Sequence, residues 1–275
     1  MKLAKVFKEN KQFTLFSILA LVVVGVAVFA PQIAPYDPLD AVMLESLQAP
    51  SSVHPFGTDK LGRDLLSRVI FGTRTSLIMT LCLVAVIFVI GTFLGVIAGY
   101  FGGVVDAVIM RIADMMISFP GLVLAIAIAG MLGPNLVNAV ISIAAVSWTK
   151  YARLARSMVL KVKKSLYIEA AIVNGTKTWK ILLVHILPNM VTQMVVTAAA
   201  DIGTMMLELA SLSFLGFGAT APTPEWGLML NEGRTYMAKA PWLMIYPGIA
   251  IVICVVVFNM LGDSIRDVLD PRQDQ

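Results

Sequence analysis

Residues 169–189 read EAAIVNGTKTWKILLVHILPN. The stretch is too short and too polar to cross a bilayer, yet its pattern is ordered. Ser165 stands where it can cap a short helix, and Glu169 falls in the first turn, an anion favourably set against the helix dipole. Ala170, Ala171 and Val173 give that helix a small apolar face, and Gly175 stands where helices commonly end in the left-handed conformation. Thr178 is placed to cap a second helix running from Trp179 to Leu187, ahead of Pro188. The expectation is a helix, a turn and a second helix. A shallow knob of alanines suits a groove on another protein, with Lys161, Lys163, Lys164, Lys177 and Lys180 available to acidic rims or lipid headgroups. An ordinary interfacial loop helix fits the same composition.

The surrounding chain is oily. Of 275 residues, 58% are hydrophobic and 14% charged, with a mean hydropathy of +0.85. Soluble domains carry about 25% charged residues, so the balance points to a membrane protein. The net charge of +4 is spread between apolar runs, which excludes a nucleic-acid footprint and leaves the basic residues as topology markers. Cys82 and Cys254 both sit inside apolar runs, where packing rather than a disulfide or metal site is expected.

Six spans are expected, at residues 13–30, 76–100, 105–132 (interrupted near Pro120), 136–155, 190–217 and 242–261. The basic start, Lys2 to Lys11, ahead of an apolar run longer than a signal core reads as an uncleaved first span. With both termini in the cytoplasm, fourteen Lys and Arg lie inside and six outside, the favoured orientation, and Arg111 lies within the third span. The chain divides into an N-terminal part, 1–75, with the first span and an extracytoplasmic segment; a membrane core, 76–265, of five spans with a cytoplasmic loop at 157–189; and a cytoplasmic tail, 266–275. Gly91, Gly95 and Gly99 form a seam on the second span that suits close intramolecular helix packing.

The spacing Glu-Ala-Ala, three residues, Gly, then Leu-Pro resembles the EAA loop of ATP-binding-cassette importer permeases, with Glu169, Ala170, Ala171, Gly175, Leu187 and Pro188 in the signature places. His185 stands where the general pattern has isoleucine, which is similar to the peptide and nickel branch. HPFGTDKLGRDLLSR (54–68), DAVIMRIADMMISFP (106–120) and LSFLGFGATAPTPEWG (212–227) resemble C-type subunits of the dipeptide, oligopeptide and nickel importers. The resemblance implies an all-α membrane protein with the type I importer permease fold, in the bacterial inner membrane. It implies a second homologous permease, two ATPase subunits that hold ATP and magnesium, and an extracytoplasmic substrate-binding protein. The loop would be the coupling helix that docks on an ATPase. Cargo is left open between nickel and di- or oligopeptides, with a slight lean to nickel from the Met205–Met206 pair and ATAPTPEWG.

Several polar residues fall inside the spans. Arg111 and Asp114 are three apart and read as a structural ion pair near Asp106. Asp201, Met205 and Glu208 recur at helical spacing and are candidates for the translocation path, with structural hydrogen bonding an equal reading of the carboxylates. Leu61, Leu65 and Val69 with Arg63, Asp64 and Arg68 opposite predict an amphipathic helix over 59–71 on the outer surface, able to receive the binding protein or simply to anchor. His54 and His185, the only histidines, are expected on opposite sides of the membrane, so no metal cage is expected.

The sequence contains no GxxxxGK[ST] phosphate loop, so ATP must be handled elsewhere. It also lacks HExxH and GxSxG, and no catalytic residues are assigned. The alternative to an ATP-driven permease subunit is a secondary transporter driven by protons through Asp201 and Glu208.

Overall fold

The computed structural model describes residues 10–269, all of whose regular elements are helices. Lys2, Lys5, Lys8 and Arg272, used above for orientation, lie outside that range. The helices are α1 (Lys11–Val28), α2 (Leu65–Phe101), α3 (Gly103–Ile117), α4 (Gly121–Leu132) and α5 (Leu136–Lys163). They are followed by α6 (Leu166–Val173), α7 (Thr178–Phe214), α8 (Trp226–Gly233) and α9 (Trp242–Leu269).

Four helices, α1, α2, α7 and α9, are long and apolar enough to cross a bilayer. The interruption expected at Pro120 is a 93° bend between α3 and α4. At 15 and 12 residues neither half spans about 30 Å alone, so together they make at most one broken crossing. The expected span at 136–155 lies within α5, which does not reach the same apolarity, because Lys150, Arg153 and Arg156 interrupt it. Its charges are instead matched by carboxylates on α3 and α7, as described below.

The largest departure concerns the outer segment. No separate amphipathic helix covers 59–71. Residues 59–64 are a loop, and Leu65 opens the 37-residue α2, about 55 Å long. Asp64 caps it, its Oδ2 accepting from the Ser67 N–H at 2.7 Å. The charged face lies inward, with Arg63 and Arg68 only 1% exposed.

Along α2 the glycine seam meets α5. A Cβ on Gly95 would stand 2.3 Å from the Ala152 carbonyl oxygen, and one on Gly91 would stand 2.5 Å from that of Trp148. Gly99 sits against Val159. The absence of side chains lets two backbones touch, which is the packing role expected of the seam. Two apolar cores result. One holds Ile87, Ile143, Tyr151, Ile168, Ile186 and Met190, and the other joins α1, α2, α7, α8 and α9 around Met206, Trp226 and Phe258. Cys254 is buried in the second core, whereas Cys82 is exposed on the surface of α2, contrary to the packing role expected of both.

Candidate functional site

The segment 165–180 stands out from the bundle. Ile168 points into the first core and is fully buried, while Leu166 (83% exposed) and Val173 (85%) face outward. Glu169 and Ala170 are exposed as well. Gly175 has φ +72°, and its N–H bonds to the Ile172 carbonyl while that of Thr176 bonds to Ala171, both at 3.0 Å. This pair of bonds closes the helix in a Schellman turn, as the glycine's position predicts. Ser165 does not cap α6: its hydroxyl donates back to the Val162 carbonyl.

The second half of the loop is not an independent helix. α7 begins at Thr178, widens into a π-turn over Ile181–Ile186 and runs on unbroken to Phe214. Pro188 has no N–H to give and crowds the carbonyl a turn earlier, and the wider turn accommodates it. The Leu187 N–H reaches the Leu182 carbonyl, and the Asn189 side-chain amide donates to the His185 carbonyl at 2.6 Å. Trp179, 59% exposed, therefore belongs to the same rod as Asp201 and Glu208. Among the basic neighbours, Lys163 is not free for a partner: its ammonium donates to the Tyr100 carbonyl at 2.6 Å and lies over that ring.

Along α3 and α5 the charges pair between helices rather than along one. Asp114 bonds Arg153 on α5, not Arg111, and Asp106 takes Arg156. Arg111 is exposed and makes no ion pair among the described residues. An i, i+3 partner on α3 competes with a guanidinium from the facing helix, and the facing one wins by direct alignment. These two pairs fasten the broken α3 to α5.

Asp201 is buried and bonded at both oxygens. Its Oδ1 accepts from Lys150 Nζ at 2.6 Å, and its Oδ2 accepts from the Tyr151 hydroxyl at 2.9 Å. Beside it opens a cleft of about 270 Å³ whose lining includes Ser147, Lys150, Asp201, Thr204, Met205 and Glu208. The three residues expected on one face of the fifth span thus share one cavity. Lys150 and Tyr151 were not singled out from the sequence, although a lysine within an apolar run is a visible signal. Met205 and Met206 are packed in the two cores.

On the other side of the fold, loop 54–64, the start of α2 and α8 form a clamp of buried charge. Asp59 Oδ2 lies 2.6 Å from Arg63 and 3.5 Å from Arg68, and both guanidiniums reach Glu232, at 3.4 and 3.5 Å. His54 sits between Asp64 (2.9 Å) and Glu45 (3.3 Å). Glu225 caps α8, accepting from the N–H groups of Gly227 and Leu228. Burial pushes its carboxyl above the usual range, against the downward pull of those N–H groups. Trp226 donates its indole N–H to the Val69 carbonyl at 3.0 Å and occupies the space left by Gly72. Among the described residues no cluster of histidine, cysteine or carboxylate side chains is arranged to hold a metal.

Over residues 91–275 the sequence matches the family described as binding-protein-dependent transport system inner membrane component, and residues 2–50 match the N-terminal transmembrane domain of oligopeptide transport permease C. The chain belongs to this family of importer permeases. It is 42% identical, over 98% of its length and 88% of the relative's, to the dipeptide transport system permease DppC of Alkalihalophilus pseudofirmus. It is 45% identical, over 92% of its length and 84% of the relative's, to the glutathione transport system permease GsiD of Pectobacterium atrosepticum. In fold it resembles a chain of the inward-facing methionine ABC transporter MetNI, with a TM-score of 0.60 at 20% identity, covering 75% of this chain and 98% of the other. The protein is thus a transport subunit, a multi-pass component of the bacterial inner membrane with the type I importer permease fold. Membership in a binding-protein-dependent family displaces the proton-driven alternative, and the engagement of Asp201 by Lys150 and Tyr151 agrees with that.

Proposed function

We propose that this chain is one of two permease subunits of an ATP-driven importer of short peptides or glutathione, with six crossings and both termini in the cytoplasm. The observation that carries this reading is α6 itself: an apolar knob exposed to solvent, tethered by one buried residue and continuous through Trp179 with the helix that carries Asp201 and Glu208. Leu166, Val173 and Trp179 form an exposed apolar surface of the kind a partner protein covers. One of two ATPase subunits, which would bind ATP and magnesium, supplies the covering surface at Glu169, Ala170, Ala171 and Gly175. Leu187 and Pro188 carry the displacement into α7. A nucleotide-driven shift of a few kcal/mol between two packed states suffices to alternate access. A second permease completes the pathway, and an extracytoplasmic binding protein delivers the cargo.

Peptide or glutathione cargo is favoured over nickel, since the relatives above are named for those solutes. The features that leaned towards nickel have structural work here: Met205 and Met206 pack cores, and Glu225 with Trp226 fixes α8. The test is uptake into proteoliposomes holding the full transporter, with labelled dialanine, glutathione and nickel supplied separately. Peptide or glutathione uptake that requires both ATP and the binding protein is expected. Uptake of nickel alone overturns the cargo assignment, and uptake without ATP overturns the whole reading.

A further inference from the structure

The cleft between α5 and α7 contains one carboxylate that the chain leaves unsatisfied. Glu208 lines it yet accepts no hydrogen bond and makes no ion pair among the described residues. Asp201, two turns away on the same face, is fully engaged by Lys150 and Tyr151. Lys150 is not: one bond to Asp201 uses one of its three donors, and its side chain is 59% exposed at the mouth of the cleft. A carboxylate at membrane depth with no partner is costly and marks a place where a cation passes or binds. Here a complementary charge, Lys150, lines the same cavity.

Helix geometry bounds a length. Asp201, which holds the Lys150 ammonium, and Glu208 are seven residues apart on α7, a rise of about 10.5 Å along the helix axis. A two-residue chain spans at most about 7 Å between its termini, whereas four extended residues reach up to about 14 Å. Thr204 and Ser147 also line the cleft, with Ile87, Val146 and Met205 as apolar walls.

We propose that Glu208 and Lys150 form a zwitterion subsite on the translocation path, Glu208 receiving the α-ammonium and Lys150 the terminal carboxylate of a dipeptide. The proposal rests on the reading of this chain as part of a peptide importer. It is tested with the complete transporter, permeases and ATPases, in nanodiscs without the binding protein. Equilibrium dialysis compares radiolabelled dialanine with N-acetyl-dialanine, which lacks the ammonium. The wild-type complex is expected to bind dialanine at least tenfold more tightly, and Glu208→Gln to lower dialanine binding to the level of the acetylated peptide. Equal binding of the two peptides by the wild type overturns the subsite without recourse to any variant, as does a Glu208→Gln complex that keeps the preference. Dialanine that is transported in proteoliposomes yet does not bind the complex overturns the subsite alone. Dialanine that is neither bound nor transported overturns the peptide-importer reading beneath it.

Discussion

The outer clamp and the α6 segment invert each other. At the clamp, Arg63, Arg68, Asp59 and Asp64 are buried and paired, and the apolar groups around them, Trp226 and Leu65, are buried too. At α6 and the start of α7 the apolar side chains Leu166, Val173 and Trp179 are exposed, and so is Glu169. Charge that is hidden and matched holds a structure together, whereas apolar surface left open awaits another protein. The two regions should therefore answer mutation in opposite ways, one through stability and the other through transport.

The largest effect is expected at the clamp. Arg68→Ala leaves the buried Asp59 and the partly exposed Glu232 with one guanidinium fewer, and because Arg63 still reaches both the cost is at the low end for a broken buried pair, about 3 kcal/mol. Denaturant unfolding in detergent should show that loss, and a midpoint equal to wild type would place those charges in water after all. A smaller loss, about 1–2 kcal/mol, is expected of Glu225→Ala, which removes the cap of α8. An unchanged unfolding midpoint there would mean that α8 is held by Trp226 alone. The smallest change in stability, within about 0.5 kcal/mol, is expected of Trp179→Ala, because the side chain is mostly exposed. ATP-driven uptake should nonetheless fall at least tenfold. A Trp179→Ala protein with reduced stability and normal uptake would erase the contrast between the two regions.

What the sequence revealed follows from range. The end of α6 at Gly175, the break at Pro120 and the glycine seam on α2 are local signals, carried by φ > 0, a missing N–H and a missing Cβ, and each appears where the pattern places it. The loop before α7 was misread because Pro188 commonly separates helices, whereas a π-turn lets this one continue. The clamp was misread for a different reason. Leu61, Leu65 and Val69 have the spacing of a surface helix, and the residue that draws the opposite charges inward, Glu232, lies 164 positions beyond Arg68. In the same way Asp114 finds Arg153 across 39 residues and Asp201 finds Lys150 across 51. Pairing across helices depends on packing that a single chain's periodicity does not contain. The face shared by Asp201, Met205 and Glu208 was legible because it lies on one helix; Lys150 was visible as a lysine in an apolar run, but its pairing with Asp201 was not.

The most direct test of the coupling role uses Gly175→Asp. Gly175 has φ +72° and open space around it, so an aspartate there strains one turn without clashing with a neighbour. Co-purification of the ATPase subunits with the membrane-inserted variant is the measurement, with peptide-stimulated uptake recorded on the same preparation. The account predicts a permease that inserts and unfolds like wild type but loses its ATPases, or keeps them while hydrolysis no longer drives uptake. Full retention of the ATPases together with normal uptake would contradict it.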